Sequence, residues 1–193
     1  QMKALKIYGD AAAAYPSVPL LTSKEKNTMV LGEGAAVFAL EKGSSPRALA
    51  TIRGIGYASE PITHPVAISA DAEALRRSMQ QALEGIDPKV DVVIPHATGT
   101  LKGDQAEYLA LAEVFGTELP LLTTNKWKIG HTFAASGALA MEMAVVMLQQ
   151  QHFLPVPYLP AAPERPLRNI LINATGFGGN AVSVLVTMRQ LAN

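Results

Sequence analysis

The chain has 193 residues, 49% of them hydrophobic, and its 16 basic residues balance its 16 acidic ones. This length suffices for one compact domain, and the balanced charge without a basic cluster argues against nucleic acid as a partner. With no cysteine, disulfides, thiolate metal sites and a thiol nucleophile within this chain are excluded. No apolar run approaches the roughly 18 residues of a membrane span, and no signal-peptide pattern opens the chain, so we expect a cytoplasmic protein.

The first predicted elements follow a loop-like segment, residues 1–28, which we interpret as a connection. Residues 30–42, VLGEGAAVFALEK, form an apolar run with a glycine-rich start, which predicts a buried strand. Within that strand, Glu33 is expected to be paired or functional, because an isolated buried charge is costly. A second strand is predicted over residues 50–59, ATIRGIGYAS.

The middle of the chain alternates between helical and strand patterns. Residues 71–86 place Leu75, Met79 and Leu83 at helical spacing, which predicts a helix. The run VDVVIPH is typical of a short buried strand that ends at His96. The following segment, GDQAEYLALAEVFG, predicts a helix with acidic residues in its first turn, where they suit the helix dipole.

The last third continues this alternation. We predict a buried strand in LPLLTTN, a long helix rich in small residues over 131–151, and two closing strands joined by a glycine turn at 176–179. Continuous apolar strands that alternate with helices indicate an α/β fold whose sheet is covered by helices on both faces. In such folds functional groups gather beyond the strand ends, here His96, Lys126 and the glycine turn.

Two histidine-bearing segments are candidates for catalysis. In HATGT, His96 could donate a hydrogen bond to a developing oxyanion, and Thr98 and Thr100 flank a glycine that lets a ligand approach the backbone. In KWKIGH, His131 precedes a predicted helix, whose dipole would keep the imidazole neutral. The alternatives remain open: an ordinary strand-to-helix turn for the first segment, and a surface lysine with a capping histidine for the second.

Two further patterns carry less information. The turn TGFGGN permits close backbone approach, but it opens no helix and is therefore not a nucleotide loop; a simple hairpin turn is the alternative. The two histidines have no third ligand at suitable spacing, so we predict no metal site.

Four segments, taken in order, resemble the C-terminal half of a β-ketoacyl-acyl carrier protein synthase of the thiolase superfamily. They are GEGAAVFALE, HATGTLKGDQAE, KWKIGHTFAASGA and NATGFGGNA, and the resemblance covers most of the chain from about residue 29. It implies a thiolase-like half over residues 29–193, with a layered mixed β-sheet between helices (α/β/α). It also implies a dimer, homo- or heteromeric.

The resemblance further implies an acyltransferase that condenses malonyl carried on acyl carrier protein with an acyl thioester, without a cofactor. The nucleophilic cysteine would come from an N-terminal half. The implied catalytic residues are His96, His131 and Lys126. The implied substrate-binding and structural residues are Thr98, Thr100, Phe177 and Gly178, and Glu33, Asp104, Glu107 and Asn180, respectively.

The sequence departs from the family pattern at several places. Ala97 replaces a usual glycine, which we interpret as a mild change, and no threonine precedes Asn180. Ala140 stands where the family often has a glutamate paired with the lysine, and Glu142 lies about 200° around the helix from it. These departures leave open a non-catalytic subunit similar to chain-length factors. A thiolase is disfavoured, because it needs a second cysteine.

Overall fold

The computed structural model describes residues 8–9, 13–43, 45–61, 63–64, 69, 71–86, 89–161 and 163–189. Residues 1–7 and 10–12 of the predicted connecting segment lie outside this part of the chain. The described elements are β1 (Ala50–Ser59), α1 (Glu73–Leu83), β2 (Val92–Ile94), α2 (Leu101–Phe115), β3 (Leu121–Leu122), α3 (Lys126–Ile129), α4 (Ser136–Gln150), β4 (Asn169–Gly176) and β5 (Asn180–Met188).

The five strands form one mixed sheet in the order β1-β5-β4-β2-β3. Strands β1, β5 and β4 pair antiparallel, whereas β4, β2 and β3 pair parallel. Because β2 and β3 pair parallel, their C-terminal ends lie at the same edge of the sheet. The loops that carry His96 and Lys126 therefore begin side by side.

Helices cover both faces of the sheet, which confirms the predicted α/β/α arrangement. Helices α1 and α2 enclose a first core with Leu75, Met79 and Leu111, while α4 encloses a second core with Met147 and Leu148. Helix α1 lies directly on β1: a Cβ at Gly54 or Gly56 would lie within 2 Å of an α1 carbonyl oxygen. Glycine is therefore required at both strand positions for this close packing.

The strand predicted over residues 30–42 is wrong. The segment contains no strand, and Val37 and Leu40 are 96% and 78% exposed. Glu33 is also exposed rather than buried. A strand needs a neighbour to satisfy its backbone groups, and only one residue of this run, Leu31, forms an isolated bridge in the described chain.

Three other predicted elements differ in detail. The strand in LPLLTTN is only two residues long, β3. Lys126 is the first residue of the short helix α3 rather than the end of a strand. The last long helix begins at Ser136, after a single 3₁₀ turn formed by Phe133–Ala135, and not at His131.

One stretch, Phe133–Gln150, has the length and composition of a membrane span. The same features are found in core helices of soluble proteins, and the buried residues of α4 pack on β4 and β5. The exposed positions of α4 are Glu142, Val146, Gln149 and Gln150, so its outer face is mostly polar.

Candidate active site

The loop between β2 and α2 is held by two carboxylates of α2. Glu107 accepts the backbone N–H groups of His96 and Ala97 at 2.8 and 2.7 Å, and Asp104 accepts that of Gly99 at 3.0 Å. Because Asp104 and Glu107 are three residues apart, they lie on the same face of the helix. Three of the loop's N–H groups are thus fixed by buried charged acceptors, which makes the loop rigid.

Ala97 adopts a backbone conformation that favours glycine. Its φ is +32°, and the residue is only 1% exposed. A left-handed conformation costs a residue with a Cβ about 1–2 kcal/mol. The replacement of the family's glycine is therefore a strained substitution and not the mild change that the sequence indicated.

His131 is held as a neutral imidazole with a defined tautomer. Its Nδ1 accepts the backbone N–H of Phe133 at 3.0 Å, so that the ring proton lies on Nε2. Burial, and then the positive charge of Lys126, lower the pKa of His131 to about 4. The predicted neutrality is thus explained by burial and by a neighbouring cation, since regular α-helix starts only five residues later.

The loops bring His96 beside His131. The centroids of the two rings lie 5.2 Å apart, and the ring planes are nearly perpendicular at 86°. Burial, followed by the charges of Lys126 and His131, holds the pKa of His96 well below its usual range. Its Nδ1 is buried without a hydrogen-bond partner in the described part of the chain. Two neutral imidazoles therefore face one small region.

Lys126 is buried, with 3% of the residue exposed. Burial lowers the pKa of its ammonium to about 8, whereas the negative charges of Glu107 and Asp104 oppose this shift. The sequence directed attention to α4 for a counter-ion, but Ala140 is buried in the second core and Glu142 is exposed. The compensating carboxylates come from α2 instead.

Glu107 also has a perturbed ionisation. Burial raises its pKa to about 7, although the N–H groups of Ala97 and His96 and the charge of Lys126 favour the ionised form. Asp104, whose pKa burial also raises, forms a buried ion pair with Lys24 at 2.8 Å. Together with Lys24 and Asp104, Glu107 and Lys126 form one cluster of buried charged groups next to the histidines.

The predicted substrate-binding residues have a mixed placement. Thr98 and Thr100 share a hydrogen bond of 2.9 Å between their hydroxyl groups, on the loop that carries His96. Phe177 is 61% exposed at the tip of the β4–β5 turn, which Gly178 and Gly179 form with positive φ. No ring contact joins Phe177 to either histidine among the described residues.

The predicted structural residues also separate into two groups. Asn180 donates its side-chain N–H to the carbonyl oxygen of Phe177 at 2.9 Å, which ties the glycine turn together. Asp104 and Glu107 hold the His96 loop, as described above. Glu33, by contrast, is exposed and forms no ion pair with any described residue.

Several residues of the site were missed by the sequence analysis. Phe133 lies against His131 with ring centroids 5.3 Å apart and adopts a φ of +49°. Thr28, from the predicted connecting segment, donates its backbone N–H and its hydroxyl hydrogen to the carbonyl oxygen of Gly99, at 2.8 and 3.0 Å. An aromatic residue two positions after the histidine was a signal for Phe133, but no local pattern pointed to Thr28.

The segment that contains Thr28 is therefore more than a connection. Leu20 donates its N–H to Asp104 at 3.1 Å, and Asn27 accepts the first N–H of α2, that of Leu101, at 2.9 Å. A few residues later, the backbone of His131 pairs with Val30 and Gly32. This segment joins the two histidine loops to each other.

A family model for the C-terminal domain of β-ketoacyl synthases matches residues 49–159, which is more than half of the chain. The chain belongs to the β-ketoacyl synthase family. This confirms the family that the four motifs indicated. The match begins after the segment of Thr28 and ends before β4, so it includes both histidines and the lysine.

Curated relatives agree with this membership in the synthase family. A mycocerosic acid synthase-like polyketide synthase of Mycobacterium tuberculosis is 37% identical over 154 residues, covering 72% of this chain and 7% of the relative. The 3-oxoacyl-[acyl-carrier-protein] synthase 1 of Escherichia coli is 27% identical over 137 residues, covering 64% of this chain and 33% of the relative. The chain thus covers 7% of the length of the first relative and 33% of the length of the second.

Solved structures show the same fold. The ishigamide ketosynthase/chain length factor superposes with a TM-score of 0.77 over 98% of this chain and 50% of that chain, at 19% identity. This likeness confirms the thiolase-like architecture of the synthase domain. It covers about half of the neighbour.

Proposed function

We propose that this chain supplies the histidine half of an acyl-chain condensing site. The reaction would be decarboxylative Claisen condensation of a malonyl thioester on acyl carrier protein with an acyl thioester. The observation that carries this proposal is the pair of neutral imidazoles, His96 and His131, 5.2 Å apart in front of a buried charged cluster. Membership in the synthase family supports it.

The two imidazoles suit the charge that decarboxylation develops. Cleavage of the bond between the malonyl α-carbon and its carboxylate releases CO₂ and leaves the electron pair as an enolate. Negative charge then builds on the thioester oxygen, to which each neutral imidazole can donate one N–H. Removal of one such donor costs about 10²- to 10³-fold in rate. The α-carbon then forms a bond to the acyl carbonyl carbon, the C–S bond of the acyl thioester breaks, and the cysteine that carried the acyl group leaves as its thiolate.

Burial and the charge of Lys126 would keep both donors neutral. Burial is the larger cause and the buried ammonium the second, and together they lower the pKa of His96 and of His131, so that neither ring is protonated near pH 7. A protonated pair would repel each other and would lack the neutral Nδ1 that Phe133 now contacts. Glu107 and Asp104 in turn stabilise the lysine charge.

The acyl-accepting cysteine would come from an N-terminal half, since these 193 residues contain none. One exposed apolar run supports a further partner unit: Val37, Phe38 and Leu40 are 96%, 40% and 78% exposed. Neighbouring exposed apolar side chains of this kind mark an interface. We infer that the N-terminal half covers this run within a homo- or heterodimeric, cytoplasmic synthase.

Acyl carrier protein is the proposed carrier of the substrates. The name of the Escherichia coli relative, 3-oxoacyl-[acyl-carrier-protein] synthase 1, supports this assignment. The carrier would present malonyl and acyl thioesters to the loops of His96 and His131. Thr98 and Thr100, on the first loop, remain proposed substrate contacts, as do Phe177 and Gly178 at the glycine turn.

The test is release of CO₂ from malonyl-carrier protein by the full-length protein. We expect His131→Ala and His96→Ala each to lower the rate by about 10²-fold or more. His152→Ala is the matched control, because this histidine is exposed after α4. Equal rates for His131→Ala and His152→Ala would refute the assigned role.

A non-catalytic subunit that sets the chain length of a partner synthase is the second candidate. The replacement of the family's glutamate by the buried Ala140 favours it. This alternative predicts that both histidine variants leave product formation by a partner synthase intact. Loss of product in these variants would exclude it.

A further inference from the structure

A row of polar side chains crosses the first core beneath the His96 loop. Ser78 of α1, Ser183 of β5, Asn173 of β4 and Glu107 of α2 each come from a different element. Their exposed fractions are 0%, 0%, 2% and 5%, respectively. They are surrounded by the aliphatic residues of that core, such as Met79 and Leu171.

The four side chains form one continuous hydrogen-bonded path. The hydroxyl groups of Ser78 and Ser183 are 2.8 Å apart, and Ser183 donates to Oδ1 of Asn173 at 2.8 Å. Nδ2 of Asn173 donates to Oε1 of Glu107 at 3.5 Å. Asn173 and Ser183 are also direct cross-strand partners, so the sheet register fixes this contact.

Burial of such groups without partners costs free energy, so their presence needs a physical reason. Here each of the four side chains has at least one partner. Because Ser183 gives its single hydroxyl proton to Asn173, Ser78 donates to Ser183, with the carbonyl oxygen of Leu75 at 2.9 Å as its alternative acceptor. Nδ2 of Asn173 has a second contact, with Sδ of Met79 at 3.3 Å. A buried network in which every member is bonded specifies one arrangement of its side chains.

The path ends at the Glu107 carboxylate, which holds the His96 loop. Oε1 of Glu107, the atom that Asn173 approaches, also accepts the N–H of His96. Its other oxygen accepts the N–H of Ala97. A displacement of this carboxylate would therefore move the backbone from which the His96 imidazole projects.

We propose that Asn173 and Ser183, braced by Ser78, are positioning residues that fix the Glu107 carboxylate and thereby the His96 loop. They touch neither histidine and act only through Glu107. The catalytic consequence rests on the function proposed above for His96. The positioning itself concerns Glu107 alone and can be measured without turnover.

Electrostatics give the positioning a distinct readout. The charged groups that act on Glu107 are Asp104 on its own helix, itself paired with Lys24, and Lys126 on α3, whereas His96 and Ala97 act through their backbone N–H groups. The Asn173 amide is an uncharged donor to the same carboxylate. Donation to a carboxylate favours its ionised form, so removal of the donor raises the pKa of Glu107.

The experiment is a pH titration of the Glu107 carboxyl carbon by ¹³C NMR in the full-length protein, assigned with Glu107→Gln. In Asn173→Ala we expect the proton affinity of Glu107 to rise about two- to tenfold, the range for loss of one hydrogen bond. We expect a smaller rise in Ser183→Ala, which leaves Oδ1 of Asn173 without its donor. Ser183→Ala removes one atom and is the milder variant should Asn173→Ala fail to fold.

Leu171→Val is the matched control. Leu171 lies on the same strand and in the same core as Asn173, but its side chain has no polar atom. We expect it to lower the melting temperature and leave the Glu107 titration unchanged. A Glu107 titration in the folded Asn173 and Ser183 variants that equals the one in Leu171→Val would overturn the proposal.

Decarboxylation of malonyl-carrier protein, measured in parallel, separates the two proposals. We expect the acid limb of the pH–rate profile to move to higher pH in Asn173→Ala, along with the NMR titration. If Asn173→Ala shifts the Glu107 titration but the wild-type protein has no decarboxylase activity, the positioning is supported and the proposed function is refuted. If the wild-type protein is active but Asn173→Ala leaves the Glu107 titration unshifted, the proposed function is supported and the positioning is refuted.

Discussion

Glu107 accepts the backbone N–H of Ala97 at 2.7 Å, and Ala97 holds a φ of +32° that a residue with a Cβ rarely adopts. The strained residue and its charged acceptor belong together. The hydrogen bond to the carboxylate compensates part of the conformational cost, and the resulting loop geometry directs His96 towards His131. Sparsely populated backbone conformations of this kind persist only where the surroundings over-determine them.

The first prediction concerns that acceptor. Glu107→Leu keeps a side chain of similar size but leaves the N–H groups of His96 and Ala97 without partners. Each unsatisfied buried donor costs about 1–3 kcal/mol in free energy of unfolding. Urea unfolding measures the loss. Glu113→Leu, on an exposed position of the same helix, should change stability by about 0.5 kcal/mol or less. Equal losses would contradict the role of Glu107 in the loop.

The second prediction concerns the strain at Ala97. Ala97→Gly removes a buried methyl group but relieves the left-handed conformation. We compare it with Ala181→Gly, which removes an equally buried methyl from β5 without positive φ. Because relief of the strain offsets the loss, Ala97→Gly should be about 1 kcal/mol or more less destabilising than Ala181→Gly. Thermal unfolding of both variants provides the measurement, and the opposite ranking would show that Ala97 is unstrained.

The third prediction concerns Lys126 and pH. Burial lowers its pKa from 10.5 to about 8, so between these values the unfolded chain binds a proton that the folded protein has released. Folding stability therefore rises with pH through this window, and the rise is complete above the unfolded pKa. Lys126→Met should lack this rise, whereas Lys128→Met, at an exposed position of the same helix, should retain it. Parallel stability curves for wild type and Lys126→Met would contradict the shift.

The fourth prediction concerns the ion pair between Lys24 and Asp104, whose side chains are both 4% exposed. Lys24→Met leaves a buried carboxylate without its cation, and such a change costs about 3–5 kcal/mol. Arg47→Met breaks an exposed pair with Glu41, which is worth about 0–1 kcal/mol. Urea unfolding of the two variants gives the contrast. A Lys24→Met loss as small as that of Arg47→Met would show that Lys24 does not anchor its segment to α2.

The sequence by itself determined the family, the layer architecture and most elements. Apolar residues at helical spacing predict α1 because one helical face must be buried, and the paired runs around TGFGGN predict β4 and β5. The order of the four motifs identifies a synthase domain with His96, His131 and Lys126 as its candidate catalytic set. Local periodicity and motif order are properties of the chain alone, so no tertiary contact was needed to find them.

Only the tertiary structure decided the rest. The run at residues 30–42 looked like a buried strand, but a strand forms only beside a neighbour, and the described chain provides one only for Leu31, beside His131. The carboxylates near Lys126 come from α2 rather than α4, and the path from Ser78 to Glu107 joins four distant segments. Such contacts depend on how elements pack, because burial, charge proximity and backbone strain arise only when residues far apart in sequence share one space.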